Sequence, residues 1–311
     1  MRVLVTGGGG FIGCNLVKRL LQEGHDVRVL DNFATGRREN LMDLLGDIEL
    51  VEGDMQSYER VHNAVRSCEV VLHQAALPSV PRSVQDPLTS NASNVTGTLN
   101  VLLAARDSDV RRVVFASSSS IYGANAELPK REDQIPLPIS PYAVAKLAGE
   151  GYCRSFSQVF GLETVSLRYF NVFGPRQDPL SQYSAVIPNF MTALLTGQQP
   201  VIFGDGEQSR DFTYVENVVE GNLLAMTADG VAGNVYNIAA GERLSLNGLL
   251  KHLRELTGAQ TEARYEAGRA GDVPHSQADV SAAERELGYR LTVSVQEGLR
   301  RTLEWYSGDH A

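Results

Sequence analysis

Residues 6–13 read Thr-Gly-Gly-Gly-Gly-Phe-Ile-Gly. Four glycines in a row cannot sit inside a stable helix or strand, because glycine loses more backbone freedom on ordering than any other residue. The run must be a turn held by its neighbours. Before it stands a short apolar run, RVLV (2–5). After it comes FIGCNLVKRLLQEG, where Ile12, Leu16, Leu20 and Leu21 recur at helical spacing and Gly24 ends the helix. Strand, glycine turn and helix together make a phosphate cradle. The turn tolerates positive φ, the backbone can approach an anion closely, and the helix N-terminus offers free N–H groups and its positive dipole end. Two glycine spacings satisfy this demand, Gly7/Gly10/Gly13 and Gly8/Gly10/Gly13. Gly7, Gly10, Phe11 and Ile12 are therefore candidate contacts for a dinucleotide.

The next strand, DVRVLD (26–31), ends in Asp31, 24 residues after Gly7. An acid about 20 residues beyond such a turn accepts the ribose hydroxyls of NAD and repels the 2′-phosphate of NADP. Arg37 and Arg38 lie close by and keep NADP open as the lesser option. Further β-branched runs follow: IELVEGD (48–54), EVVLHQAA (69–76), RRVVFASSS (111–119), ETVSLRYFN (163–171) and NVYNIAA (234–240). Helical patterns lie between them at about 57–67, 91–107 and 141–160. Alternating buried strands and helices predict an α/β fold, a Rossmann-type doubly wound parallel sheet. Asn32, Asp54 and Met55 close the second and third strands on the adenosine side. Asp54 reads equally well as a solvated strand-end acid or a helix N-cap. Beyond about residue 170, proline and glycine punctuate the chain. We expect a dinucleotide-binding domain over 1–170, with a return segment near 210–238, and a smaller α+β substrate-binding region over 171–311.

Composition narrows the partners. The net charge of −9 argues against binding nucleic acid, which depends on Lys and Arg neutralising phosphates. Three scattered cysteines offer no metal-ligand spacing and no disulfide framework, which fits a reducing, cytoplasmic setting. Neither a signal peptide nor a membrane span is expected, and no metal.

Pro141-Tyr142-Ala143-Val144-Ala145-Lys146 opens a helix, so Tyr142 and Lys146 share one face. A phenol with a pKa near 10 is a poor base at neutral pH. A neighbouring ammonium favours the phenolate, and an oxidised nicotinamide adds further positive charge. Such a tyrosine can take the proton of an alcohol while its carbon gives up hydride. Upstream, RRVVFA runs into Ser117, Ser118, Ser119 and Ser120 at a strand C-terminus, where open α/β sheets bind their ligands. A serine there can donate to and accept from the reacting oxygen. Taken alone, Tyr-x-x-x-Lys is an ordinary surface pair and four serines are a polar loop. Together with the glycine turn they point to catalysis.

In this order, TGxxGxxG, an acid ending the second strand, a serine after the fifth, and YxxxK, the motifs resemble those of the extended short-chain dehydrogenase/reductase family. The resemblance covers nearly the whole chain and is nearest to the nucleotide-sugar 4-epimerases. It implies bound NAD, a UDP-sugar substrate and a homodimer formed through the helices at 91–107 and 141–160. It makes Ser118 the catalytic hydroxyl, Tyr142 the base, and Lys146 the group that lowers its pKa and holds the nicotinamide ribose. Asn94 would support that lysine, and His73, Gln74, Ala75 and Ala76 would line the nicotinamide side. In RYFNVFGPRQDP (168–179), Asn171 would touch the sugar diphosphate. Val186 would offer backbone to the nucleotide, and Phe203 would pack on uracil. Arg210 and Arg269 would clamp the pyrophosphate, and Asp272 would accept from the uridine ribose. Ser79, with Val80 and Arg82, would touch the sugar.

Departures from relatives sharpen the resemblance. Dehydratases carry Asp-Glu where this chain has Ser119 and Ser120. Glucuronate epimerases carry Thr and Arg where it has Asn171 and Asp178, and Asp178 would repel a carboxylate. Ser276 stands where a bulky tyrosine restricts relatives to plain hexoses, so an acetamido group would be admitted. A net reductase or dehydratase acting on another nucleotide sugar is the second expectation. A non-catalytic dinucleotide sensor is the third, weakened by the presence of the Tyr/Lys pair.

Overall fold

A computed structural model describes residues 1–179, 185–268 and 274–308. Its centre is a seven-stranded sheet, parallel throughout. In chain order its first six strands are β1 (Arg2–Thr6), β2 (Asp26–Asp31), β3 (Ile48–Glu52), β4 (Val70–His73), β5 (Arg112–Ser118) and β6 (Glu163–Tyr169). The seventh, Val235–Ile238, returns from the second half of the chain to pair with β6. The spatial order is Val235–Ile238, β6, β5, β4, β1, β2, β3. Chain direction across the sheet therefore reverses between β1 and β4. At such a switch point the loops after neighbouring strands part and leave a crevice for a ligand.

Both faces of the sheet are covered. Val3, Val5, Val27, Val29 and Leu72 point into one apolar core with helix α1 (Phe11–Gln22) and the Val215–Thr227 helix. Leu4, Val71, Val113 and Phe115 point into the other, with helix α2 (Tyr58–Val65) and the Gly97–Asp107 helix. Continuous Val/Leu strands are what burial on both faces requires. A third core gathers Phe173, Ile187, Phe190, Ile202, Phe212, Leu249 and Leu299 from the later chain. It holds the Val186–Leu195, Leu246–Thr257 and Val295–Tyr306 helices.

Several expected elements end early or break. The fourth run leaves the sheet after His73, so residues 74–76 are a loop. The single helix expected over 91–107 is three pieces: Pro87–Asn91, a π turn at Ala92–Thr96, then Gly97–Asp107. Residues 80–85 form the Val80–Gln85 helix, capped by the Ser79 hydroxyl. The Pro141–Phe160 helix matches its expectation, with Ser140 as N-cap, proline in the first turn and left-handed Gly161 at the C-cap.

Candidate active site

The glycine turn uses one of its two spacings. Gly7 sits at φ +72°, and a Cβ on it would lie 2.7 Å from the backbone of Ala75. A Cβ on Gly13 would lie 2.1 Å from the Gly7 carbonyl oxygen, so α1 packs on the turn as only glycine permits. The second residue of the run faces the Val29 side chain instead. The cradle is therefore Gly7/Gly10/Gly13. Asp31 is buried, accepting from Gly9 N at 2.8 Å and Phe33 N at 2.7 Å. Burial raises its pKa and these amides oppose the rise. Asn32 donates to Asp54 at 2.9 Å, and Asp54 accepts from Gln56 N. The helix N-cap is Ser57, not Asp54. Arg38 pairs with Glu52, and Arg37 lies 3.6 Å from Asp178. Both basic residues beside the adenosine end are thus engaged by acids.

One cavity of about 610 Å³ runs from this end to the serine strand. Gly7, Gly10, Phe11, Ile12, Asp31, Asn32, Asp54 and Met55 line one side, and Gln74, Ala75, Ala76, Ser79, Tyr142 and Lys146 line the other. The glycine cradle, the buried acid and the elongated space fit a nicotinamide dinucleotide. Gln74 donates to Asn222 at 3.0 Å, and the Tyr169 hydroxyl lies within hydrogen-bond distance of both side chains.

Ser118 ends β5, where its Oγ accepts from Ser120 N at 3.2 Å and its hydroxyl lies beside the Tyr142 phenol. Tyr142 and Lys146 rise from the first two turns of the Pro141–Phe160 helix. A Cβ on Gly149 would strike the Phe115 ring at 2.4 Å, so this helix lies unusually close to β5. That approach lets Lys146 Nζ donate to Ala116 O at 2.7 Å, 4.9 Å from the Phe115 ring centre. Burial pushes Lys146 down to about 8 and Tyr142 up to about 12, with the Ser118 hydroxyl opposing the latter. The expected lowering of the phenol by Lys146 is not met in this arrangement. Its Nζ lies 5.9 Å from the tyrosine ring centre and gives one of its three donors to the Ala116 carbonyl. The Asn94 side-chain amide clamps Leu77, accepting from N at 2.7 Å and donating to O at 3.0 Å.

At the sugar end, Asn171 Nδ2 donates to Asp211 O at 2.9 Å and to Ser276 Oγ at 3.3 Å. Asp211 itself is fully buried. Burial pushes it up to about 7, against the pull of three backbone donors, Ala240, Gly241 and Ala278. Arg210 donates to the carbonyls of Ser209 and Pro274. Val186 begins a helix and Phe203 ends a short strand. Neither residue belongs to the wall of the main cavity, and nor do Ser118, Asn171, Arg210 and Ser276; Ala185, Gln177 and Asp178 do. Arg269 and Asp272 lie outside the described residues.

Sequence reasoning missed two supporting groups. Glu150, one turn after Lys146, is buried with Arg168 in a two-point ion pair and also accepts from Ser117 Oγ. Its i+4 spacing from Lys146 on a mostly apolar helix was the available signal. Ser83 is buried too, accepting from Tyr142 N at 3.1 Å. Nothing in the sequence marks it. Among the described residues no acid, histidine or cysteine cluster could hold a metal, and no helix is long and apolar enough to cross a membrane.

A switch-point cradle with a buried acid, leading to Ser-Tyr-Lys, defines a nicotinamide-dinucleotide enzyme. A profile of the NAD dependent epimerase/dehydratase family matches residues 3–239, and the chain belongs to that family, whose cofactor is NAD. It is 38% identical over all of both chains, with a TM-score of 0.95, to a UDP-glucose 4-epimerase from Thermotoga maritima solved with UDP-glucose. It is equally 38% identical, TM-score 0.95, to a UDP-N-acetylglucosamine 4-epimerase from Methanobrevibacter ruminantium in complex with UDP-N-acetylmuramic acid, covering 99% and 98% of the two chains. A UDP-glucose 4-epimerase of Mycolicibacterium smegmatis is 38% identical over 98% of each sequence.

Proposed function

We propose that the chain interconverts UDP-N-acetylglucosamine and UDP-N-acetylgalactosamine at C4, with UDP-glucose and UDP-galactose as smaller substrates of the same pocket. The observation that carries this is one cavity with Asp31 at its adenosine end and Tyr142 and Lys146 at the other, with the Ser118 hydroxyl beside the tyrosine. NAD, when bound, would supply reversible hydride acceptance at C4 of the sugar. Tyr142 takes the proton of the 4-hydroxyl and gives it back, with Ser118 holding the reacting oxygen. Lys146 holds the nicotinamide ribose. The hexose turns about its phosphate linkage between the two transfers, so UDP must stay fixed. Asn171, Val186, Phe203 and Arg210 are assigned to that hold, with Arg269 and Asp272 by resemblance alone. Residues 171–311, apart from the strand and helix that rejoin the sheet, form the sugar-nucleotide region. Two copies are proposed to pair through the Gly97–Asp107 and Pro141–Phe160 helices.

Ser276 supports the acetamido reading. It is small, its Oγ accepts from Asn171 at 3.3 Å, and the resemblance assigns its position to the side of the sugar that carries C2. Ser276→Tyr is expected to suppress turnover of the N-acetyl substrates while sparing the plain hexoses. The deciding measurement is proton NMR of the purified protein with UDP-N-acetylglucosamine and no added cofactor. Appearance of the galacto epimer at unchanged mass supports both the reaction and retained NAD. Conversion of UDP-glucose alone would keep the chemistry and sink the Ser276 argument. A net change in NADH would move the assignment to a reductase.

A further inference from the structure

His73 ends β4 beside the cofactor cavity and has no part in the proton transfers above. It is 1% exposed and lies between Thr6 on β1 and Phe115 on β5. The hydrogen bonds around it admit a single proton arrangement. Thr98 Oγ donates to the Asn94 carbonyl at 2.7 Å, and a carbonyl can only accept. The Thr98 hydroxyl therefore has no second proton to give His73 Nε2, 3.1 Å away, so Nε2 must be the donor. On the other side, Thr6 Oγ accepts from Ala75 N at 3.2 Å and lies 2.7 Å from His73 Nδ1. With Nε2 protonated, neutral Nδ1 accepts the Thr6 hydroxyl proton. The result is a continuous chain, Ala75 N–H to Thr6 to His73 to Thr98 to the Asn94 carbonyl, with every group satisfied.

One end of that chain lies at the cavity: Thr6 immediately precedes the glycine turn, and Ala75, packed against Gly7, lines the wall. Asn94, at the far end, clamps Leu77 from both its N–H and its C=O. It sits in the π turn, where Gly97 N reaches back to Ala92 O, and π turns are frequent at functional sites. We infer that His73, neutral with its proton on Nε2, is a positioning residue that holds the 75–77 lip of the cavity against the glycine turn and so retains NAD. A doubly protonated ring would turn the Thr6 hydroxyl from its acceptor. It would also set a second cation near Lys146, whose charge already opposes protonation of His73. Burial is the larger opposing cause and holds the ring well below the usual imidazole range, at about 3.

The test does not depend on which sugar is turned over. Long-range proton–nitrogen NMR of the imidazoles, on the uniformly labelled holoenzyme, reads the tautomer directly. His73 should remain the Nε2–H form from about pH 5 to pH 8, across the range where an ordinary histidine titrates. A His73→Asn sample assigns the signal. Thr98→Val removes the acceptor of Nε2–H while keeping the shape, and should speed exchange of bound for labelled NAD by roughly tenfold, one buried hydrogen bond's worth. Thr98→Ser keeps the hydroxyl and should restore slow exchange, which a role in packing alone would not predict. An Nδ1–H tautomer, or titration of His73 near the free value, overturns the inference. So does wild-type NAD retention in Thr98→Val. If a variant fails to fold, the wild-type tautomer still decides.

Discussion

The cofactor half and the sugar half of this molecule fix their functional groups by different means. On the cofactor side, groups sit at the ends of parallel strands whose register runs through the whole sheet, so Thr6, Asp31, His73 and Ser118 are placed by repetitive backbone. On the sugar side the strands are fragments: Val172–Phe173 with Thr213–Tyr214, Ser209–Arg210 with Leu244–Ser245, Val201–Phe203 with Arg264–Glu266. There a single buried carboxylate, Asp211, gathers three backbone amides from two separate segments. Under the proposed function, chain geometry would secure one ligand and side-chain rivets the other, a division suited to a pocket proposed to hold NAD throughout while a hexose turns.

The largest expected effect breaks the first half. In Gly13→Ala the new methyl meets the Gly7 carbonyl at 2.1 Å, and backbone cannot yield as a side chain can. The turn should open, and purified protein should carry no NAD by absorbance or mass spectrometry. A Gly13→Ala protein that co-purifies with NAD would show that the cradle is placed wrongly. Next comes the chemistry shared by both halves. Tyr142→Phe should lower turnover by about 10²–10⁴-fold, the range for loss of a positioned general base, with NAD content unchanged. Turnover at the wild-type rate would remove Tyr142 from its role.

Asp211→Asn probes the second half. It exchanges one acceptor oxygen for an amine that faces backbone donors. The segments carrying Arg210 and Ser276 should loosen together. The Michaelis constant for the UDP-sugar should rise by about tenfold, the cost of one lost charge-assisted bond, while NAD content stays full. If NAD were lost in parallel, the two halves would not be independent, and the contrast drawn here would fail.

The same contrast explains what the sequence discloses. Buried parallel strands leave continuous apolar runs, and the cradle leaves a glycine run, so the sheet and the Pro141–Phe160 helix are legible from composition along the chain. Two-residue strands leave no periodicity. Ser83 and Asp211 act through backbone amides far away in sequence, with 59 residues separating Ser83 from Tyr142. Asn94 shows that a motif position need not disclose its partner: its side chain clamps the Leu77 backbone from within a π turn that has no signature in residue type.

The smallest effect concerns buried Lys146 and half-buried Tyr142, and its sign is fixed by linkage. In the folded chain Lys146 loses its proton near 8, against 10.5 for an ordinary lysine. Between those values the unfolded chain binds more protons, so stability contributed by this group rises with pH across that window. Tyr142 does the reverse. It keeps its proton to about 12 when folded but releases it near 10 when unfolded, so its contribution falls above about 10. Buried tyrosines, Tyr122 among them, add to that fall. The informative quantity is therefore the difference between wild type and variant. Urea midpoints of NAD-free protein, taken from about pH 7 to pH 11, should rise less steeply for Lys146→Met than for wild type between about 8 and 10.5. Equal slopes would mean that Lys146 is not desolvated in the folded chain. In that case the close approach of its helix to β5, which Gly149 permits, would not be what shapes the catalytic end of the cavity.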